Sequence, residues 1–141
     1  MNLVRYTPEQ WSSVAEAIHS EVFNEFRGKE INRIDYVLVV WHDSIPLGYM
    51  TLRESDSASI YIGYGGILPE ARKNIRSYGG YMMLLAYLKQ RYDRATTLIE
   101  NTNIEMLRLA FKAGFIVTGL KAFKEYIFLE LTLEWGEHGS K

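Results

Sequence analysis

The segment Asn103–Phe115 reads NIEMLRLAFKAGF and is the most informative stretch of the 141-residue chain. Asparagine is a preferred N-cap, because its side-chain oxygen accepts a hydrogen bond from a free N–H of the first helical turn. Gly114 follows eleven residues later, and glycine often ends a helix because it adopts the left-handed conformation without steric cost. The segment therefore predicts a helix that begins after Asn103, ends at Gly114 and leads into a strand.

A second informative segment, Ile67–Arg72, reads ILPEAR and leads from a strand into a basic loop. The strand before it is predicted over Ser59–Leu68 and contains three glycines, which indicate a bulge or the close approach of another chain-like group. A helix is expected next, over about Tyr78–Tyr92. The stretch Arg72–Arg91 has five basic residues and no acidic one, so a local positive potential is predicted there.

The rest of the chain alternates helical and strand patterns. Thr7-Pro8-Glu9-Gln10 predicts a helix start, since threonine caps, proline suits the first helical position and glutamine follows three residues after the cap. Apolar residues at helical spacing continue to Gly28. The other predicted elements are strands: Tyr36–Trp41 and Leu47–Arg53, which form a hairpin, then Ala95–Ile99, Phe115–Leu120 and Glu125–Trp135. This order predicts an α/β fold with a mixed, mostly antiparallel sheet and helices on both faces.

The composition restricts the class of protein. With 16 basic and 17 acidic residues, 48% hydrophobic residues and no cysteine, we expect one domain over residues 1–136, a frayed tail over 137–141, and no disulfide or thiolate site. A net charge of −1 gives no general attraction to nucleic acid or membranes. The longest apolar stretch, Tyr81–Leu88, is too short to span a bilayer. The three histidines share no metal-ligand spacing. A cytoplasmic location and no metal are expected.

In their order, after a hairpin and before two closing strands, Ile67–Arg72 and Asn103–Phe115 resemble the GCN5-related N-acetyltransferase (GNAT) superfamily. The resemblance extends over nearly the whole chain, and Asn103–Phe115 is its more specific part. It implies the acyl-CoA N-acyltransferase fold, with acetyl-CoA as the acyl donor and a primary amine of a small molecule or peptide as the acceptor. The chain is also loosely similar to short phage-encoded GNAT-like proteins, some of them virion components.

The phosphate loop departs from the family's pattern, which is Gln/Arg-x-x-Gly-x-Gly/Ala. Counting from the proline places the motif on Arg72, with Ile75 and Ser77 where the family has glycines. In this register, which keeps the family's spacing from the proline, Gly79 and Gly80 would form an irregular first turn of the helix. A shifted register begins four residues later and matches Gly79 instead.

The resemblance implies that this loop and helix start hold the donor's pyrophosphate. A helix N-terminus has unpaired N–H groups and about half a positive charge, which together attract an anion. The alternative is that the loop cations are simply solvated. The donor-binding residues expected from the resemblance are Ile67, Leu68, Arg72, Lys73, Asn74, Arg76, Ser77, Gly79 and Asn103.

The reaction requires a group that removes a proton from the attacking amine. A free lysine amine has a pKa of about 10.4, so it is almost entirely protonated at pH 7. The family often uses a glutamate on the strand before the phosphate loop, but Ser59–Leu68 contains no carboxylate. Glu100, at the end of the next strand, and Glu54 are the substitutes. Solvation at the surface is the alternative role of both.

The family's usual proton donor to the leaving thiolate is a tyrosine seven residues after the asparagine. That position is Ala110 in this chain, as it is a small residue in some branches of the family. Tyr64 and Tyr81 are the tyrosines considered in its place. The lack of a named acid leaves two hypotheses: an acetyltransferase, or a GNAT-fold binding or structural protein without turnover. Tyr126, Phe128 and Trp135 are expected to be exposed, which suggests a homodimer.

Overall fold

The computed structural model describes residues 1–11, 13, 34–67 and 76–136, and gives the backbone alone for residues 45, 64–67, 76 and 77. The helices are α1, which begins at Pro8, α2 (Arg76–Lys89) and α3 (Ile104–Ala113). The strands are β1 (Asn2–Tyr6), β2 (Tyr36–His42), β3 (Ile45–Glu54), β4 (Ser59–Ile67), β5 (Arg94–Glu100), β6 (Ile116–Phe123) and β7 (Tyr126–Glu134). They form a mixed seven-stranded sheet in the order β1-β2-β3-β4-β5-β7-β6, which confirms the predicted class.

Two predictions about the elements were wrong. β1 was not predicted, because this short and half-exposed strand is fixed by antiparallel pairing with β2 rather than by a strong apolar alternation. An irregular first turn was predicted at Gly79 and Gly80, whereas α2 begins at Arg76 and contains both glycines in regular helix. Gly80 is buried, and because it has no side chain its backbone lies close to the side chains of Val40 and Leu47.

Contacts divide the chain into two compact units, the first made of Met1–Arg53 and Gly63–Leu84. Its α1 begins with the predicted capping box. The N–H of Gln10 donates to Oγ1 of Thr7 at 3.2 Å, and the N–H of Thr7 donates to Oε1 of Gln10 at 2.9 Å. The reciprocal pair satisfies two backbone donors at the helix start. The predicted helix end at Gly28 lies outside the described residues.

The core of the first unit forms where α1 meets the hairpin of β2 and β3. Trp11 is completely buried with Val37, Val39 and Tyr49, and the rings of Trp11 and Tyr49 stack at 5.6 Å. An indole ring of this size buries more apolar surface than an aliphatic side chain. Among the described residues of α1, Trp11 therefore anchors the helix to this face of β2.

The opposite face of β2 is covered by α2. Val40 points away from Val39 because side chains alternate along a strand. A Cβ placed on Gly80 would lie 3.5 Å from Cγ1 of Val40 and 3.8 Å from Cβ of Leu47, so α2 contacts this second face closely. Helices thus lie on both faces of the strands, as the sequence predicted.

The second unit is made of Glu54–Ile62 and Leu85–Lys141. In it β5 pairs in parallel with β4 and antiparallel with β7, which pairs antiparallel with β6. Leu107 and Ala110 are the buried residues of α3. Gly114 ends the helix at φ 108°, and its N–H donates to the carbonyl oxygens of Ala110 and Phe111, which confirms the predicted stop.

No helix among the described residues is long and apolar enough to cross a membrane. The single domain expected over residues 1–136 stays a prediction, and the tail at 137–141 lies outside the described residues.

Candidate functional site

The parallel ladder between β4 and β5 is short. It runs from Ser59 and Arg94 to Ile62 and Thr97, and Oγ1 of Thr97 donates a buried hydrogen bond of 2.9 Å to the carbonyl oxygen of Ile62. Both strands continue past this last pair, β4 to residue 67 and β5 to residue 100. The continuation of β4 is the glycine-bearing segment that the sequence singled out.

The predicted donor-binding residues at the end of β4 are placed only in part. Ile67 ends the strand and Tyr64 lies within it, and the backbone alone is described for both. The predicted residues Leu68, Arg72, Lys73 and Asn74 lie outside the described residues. The roles of all six stay predictions.

The start of α2 follows this segment. Arg76 and Ser77 form its first turn, again described by their backbone, and Gly79 lies one position after Tyr78. The first turn contains no acidic residue. Because the first N–H groups of a helix have no partner within it, a turn free of carboxylates is suited to an anionic group. A Cβ on Gly79 would lie 3.3 Å from Cε of Met1, the end of a flexible side chain.

Asn103 caps α3, as predicted. Its Oδ1 accepts a hydrogen bond of 3.2 Å from the N–H of Met106, and the N–H of Leu107 donates to its carbonyl oxygen at 3.1 Å. The residue is exposed. Since capping uses only the side-chain oxygen, the amide group of Asn103 retains two N–H donors on the surface.

Glu100 and Asn103 are held together by the turn between β5 and α3. The N–H of Asn103 donates to the carbonyl oxygen of Glu100 at 2.9 Å, and the N–H of Asn101 donates to the carbonyl oxygen of Ile127 at 2.9 Å. Glu100 is half-buried and pairs with Phe128 of β7. Two hydrogen bonds therefore fix the backbone that carries the predicted base.

The structure describes the surroundings of three positions that the sequence connected with proton transfer, Glu54, Ala110 and Tyr81. Oε1 of Glu54 accepts a hydrogen bond of 2.7 Å from the hydroxyl of Tyr92, so this carboxylate already holds a buried phenol in place. Ala110 is completely buried, so its position on α3 faces the interior. Burial, with Tyr78 nearby, raises the pKa of Tyr81 well above that of a free phenol, so Tyr81 stays protonated at neutral pH.

Thr97, which belongs to the last pair of the β4–β5 ladder, was not among the residues predicted from the sequence. A threonine in a strand is common, and its hydroxyl acquires a role only because it lies beside the last paired residue of β4. Among the described residues no cluster of His, Asp or Glu could hold a metal ion.

Solved structures share this fold. The ribosomal-protein-S18-alanine N-acetyltransferase from Escherichia coli matches with a TM-score of 0.71 at 9% identity, over 99% of this chain and 97% of its own. A GNAT family acetyltransferase from Elizabethkingia anophelis, with acetyl-CoA bound, matches at 0.68 and 13%, over 94% and 98%. A chain of the NatC complex bound to Gag peptide and CoA matches at 0.60 and 18%, over 95% and 99%.

No protein-family model matches the chain, and no curated protein does. The structural matches confirm the expected GNAT acyl-CoA N-acyltransferase-like fold. Several of the neighbours are named as acetyltransferases, and some were solved with acetyl-CoA or CoA bound.

Proposed function

We propose that this protein is an N-acetyltransferase that transfers the acetyl group of acetyl-CoA to a primary amine of a small molecule or peptide. The observation that carries the proposal lies in the second unit. There a parallel β4–β5 ladder stops at Ile62 and Thr97, and β5 leads through a fixed turn into the helix capped by Asn103. The fold shared with acetyltransferases supports this interpretation.

The donor is bound mainly by backbone groups in this proposal. The N–H groups in the first turn of α2, with the cations Arg72, Lys73 and Arg76, neutralise the pyrophosphate. The backbone of Gly63–Ile67 offers peptide groups to the pantetheine arm, as a strand edge does for an added strand. The amide of Asn103 donates to an oxygen of the donor while its Oδ1 keeps the helix cap.

The chemistry is an acyl transfer in a complex of both substrates. The lone pair of the neutral amine attacks the thioester carbonyl carbon, a C–N bond forms, and the C–S bond breaks. The amine loses one proton and the departing thiolate of CoA gains one. Glu100 is the proposed base, acting directly or through water, and the hydroxyl of Tyr64 is the proposed acid for the thiolate. Both roles are proposals.

A second candidate function is favoured by one observation. Ala110, the position where the family usually has its acid, is completely buried. A protein that keeps the fold as a binding or structural component, and has lost turnover, would have this feature as well. The partner would then be a protein, and acetyl-CoA would not be consumed.

Thermal unfolding with acetyl-CoA separates the two functions. A ligand at about a hundred times its Kd adds roughly 2.7 kcal/mol of stability, which is several degrees for a domain of this size. We expect a larger shift with acetyl-CoA or desulfo-CoA than with adenosine diphosphate, and release of free CoA when an amine acceptor is added. No shift with any of the three would contradict the acetyltransferase.

A matched pair of variants tests Asn103. Asn103→Ser retains a capping oxygen but lacks the amide donors, whereas Asn103→Ala lacks both. We expect both variants to bind acetyl-CoA more weakly. Only Asn103→Ala should also be less stable, by about 1 kcal/mol, and unfold at a lower temperature. Equal affinity for acetyl-CoA in Asn103→Ser and the native protein would remove Asn103 from the donor site.

A further inference from the structure

The edge strand β6 is unusually exposed and apolar. Seven of its eight residues are exposed, and Ile116, Leu120 and Phe123 each expose more than three-fifths of their surface, at 62%, 64% and 64%. Edge strands normally avoid pairing with another chain by means of charges, proline or very short length. β6 has no proline, and its one charged residue, Lys121, lies 3.9 Å from Oε2 of Glu130 on the adjacent strand.

A bulge divides the residues of β6 between two faces. Val117, Leu120 and Ala122 lie opposite Leu131, Leu129 and Ile127 of β7, and residues directly opposite in an antiparallel pair share a face. That face is therefore apolar on both strands. The other face of β6 consists of Ile116, Gly119, Lys121 and Phe123, together with Thr118, the extra residue of the bulge.

We propose that β6 pairs antiparallel with β6 of a second copy of this chain, about a two-fold axis at Leu120. With Leu120 opposite its counterpart, Lys121 faces the bulge residues Thr118 and Gly119. Ala122 then faces Val117, and Phe123 faces Ile116. Every pair joins residues of the same face, so the apolar face continues across the axis.

A second copy suits this strand better than an unrelated chain because the strand complements itself. The register brings apolar residues together at both ends and places no two lysines opposite each other, a pairing that would be destabilising. A two-fold interface uses one patch twice, so the symmetric arrangement requires no further surface. β6 contains no carboxylate, and the cation at residue 121 faces uncharged residues of the partner.

The exposed area indicates a weak dimer. An aromatic side chain buries about 150–250 Å² when fully covered. Phe123, with the smaller aliphatic side chains of Ile116, Val117 and Leu120, each about half exposed or more, therefore supplies roughly 400 Å² per copy. A standard interface buries about 800 Å² per partner. We therefore expect dissociation in the micromolar range, independent of acetyl-CoA.

Single cysteines test the register, because the native chain has none. Directly opposed strand residues have Cα atoms about 4.5–5.5 Å apart, which a disulfide can bridge. Leu120→Cys should therefore form a disulfide-linked dimer under mild oxidation. In Ala122→Cys the two thiols would be displaced by four residues, about 13 Å along the strand, and this variant should stay unlinked, as should Ile104→Cys on α3.

Charge variants test the same axis without oxidation. Leu120→Glu and Leu120→Lys should each be monomeric by sedimentation velocity at concentrations where the native protein is dimeric, and an equimolar mixture should recover a heterodimer. Because Leu120 is exposed, both variants should unfold at the same temperature as the native protein when the samples are dilute. A native protein that stays monomeric up to millimolar concentration would overturn the proposal. Equal cross-linking of the three cysteine variants would overturn the register, and with it the axis.

The result is separable from the proposed enzymatic function. Binding of acetyl-CoA by Leu120→Glu and Leu120→Lys is measured in the same samples by thermal shift. If the native protein binds acetyl-CoA but is monomeric, only the proposal of a dimer is contradicted. If it is dimeric but does not bind acetyl-CoA, only the proposal of an acetyltransferase is contradicted.

Discussion

β2 and β6 are strands of similar length with opposite surroundings. All residues from Tyr36 to Val40 in β2 are buried, whereas seven of the eight residues of β6 are exposed. β2 lies between β1 and β3, with α1 against one face and α2 against the other. Among the strands that the structure describes, β6 pairs with β7 alone.

The difference shows that an apolar strand becomes core only where neighbours cover it. Apolar burial stabilises by about 25 cal/mol per Å², so β2 contributes through its side chains and β6 contributes little beyond its pairing with β7. The two strands therefore predict different responses to the same substitution.

The largest contrast is expected between two leucines. Leu38 in β2 is completely buried, and Leu120 in β6 is 64% exposed. Leu38→Ala should lower the free energy of unfolding by about 3 kcal/mol, because it leaves a cavity. Leu120→Ala should change it by less than about 0.5 kcal/mol. Urea unfolding at a protein concentration where the chain is monomeric measures the free energy of unfolding of both variants. Similar losses in the two would contradict the difference in burial between β2 and β6.

A second contrast concerns two glycines in the left-handed region. Gly114, where α3 ends just before β6, has φ 108°, and an added Cβ would lie 3.3 Å from Cδ1 of Leu133. Gly136 has φ 96° and nothing within 4 Å. Both alanine variants incur backbone strain of about 1–2 kcal/mol, but only Gly114→Ala also crowds a neighbour. We expect the lower unfolding temperature for Gly114→Ala, and the reverse order would be contrary to the packing described.

Two threonines provide a smaller contrast. Thr97→Val removes the buried 2.9 Å bond to the carbonyl oxygen of Ile62 and should cost about 1 kcal/mol, since a buried acceptor loses a partner. Thr118 of β6 shares a 2.9 Å hydrogen bond with the hydroxyl of Thr132 at a partly buried place. Thr118→Val should cost about half as much, because Thr118 itself is exposed. Chemical denaturation at pH 7 compares the two.

The smallest effect is expected at Asp56, a fully exposed turn residue. The N–H of Ala58 donates to its Oδ1 at 2.8 Å, and this bond is the main reason that the pKa of Asp56 lies below its ordinary value. The folded pKa is below the unfolded one, so the stabilisation is present above about pH 4 and is lost as the pH falls through the folded pKa.

Asp56→Asn tests this because the amide retains an acceptor oxygen and removes the titrating charge. We expect its unfolding temperature to be slightly below that of the native protein at pH 7 and to converge with it as the pH falls below 4. A gap that widens on acidification would mean that the charge destabilises the fold.

Helix starts and stops were predictable because their chemistry is local. The capping box at Thr7 and Gln10, the Asn103 cap and the Gly114 stop each depend on residues within a few positions of one another. The start of α2 was harder to predict. Its glycines suggested irregularity, whereas the helix is regular through both of them. Gly80 lies against Val40 and Leu47, two residues far away in the sequence.

In the candidate site, too, only the features that depend on neighbouring residues were predictable. The turn from Glu100 to Asn103 follows from adjacent residues, and the structure brings their backbones within hydrogen-bonding distance. The closing role of Thr97 and the burial of Ala110 depend on which strand or core lies opposite, so no short sequence pattern indicates them. The catalytic roles of Glu100 and Tyr64 remain predictions.

Most of the element types, the caps and the fold family that the chain resembles were predictable, because these follow from periodicity and from short-range hydrogen bonding. The tertiary structure decided which apolar strand is core and which is edge. It also decided that β1 pairs with β2 and that the β4–β5 ladder ends at Thr97. Burial and strand pairing are relations between segments far apart in the chain, and the apolar character of one segment does not specify its neighbour.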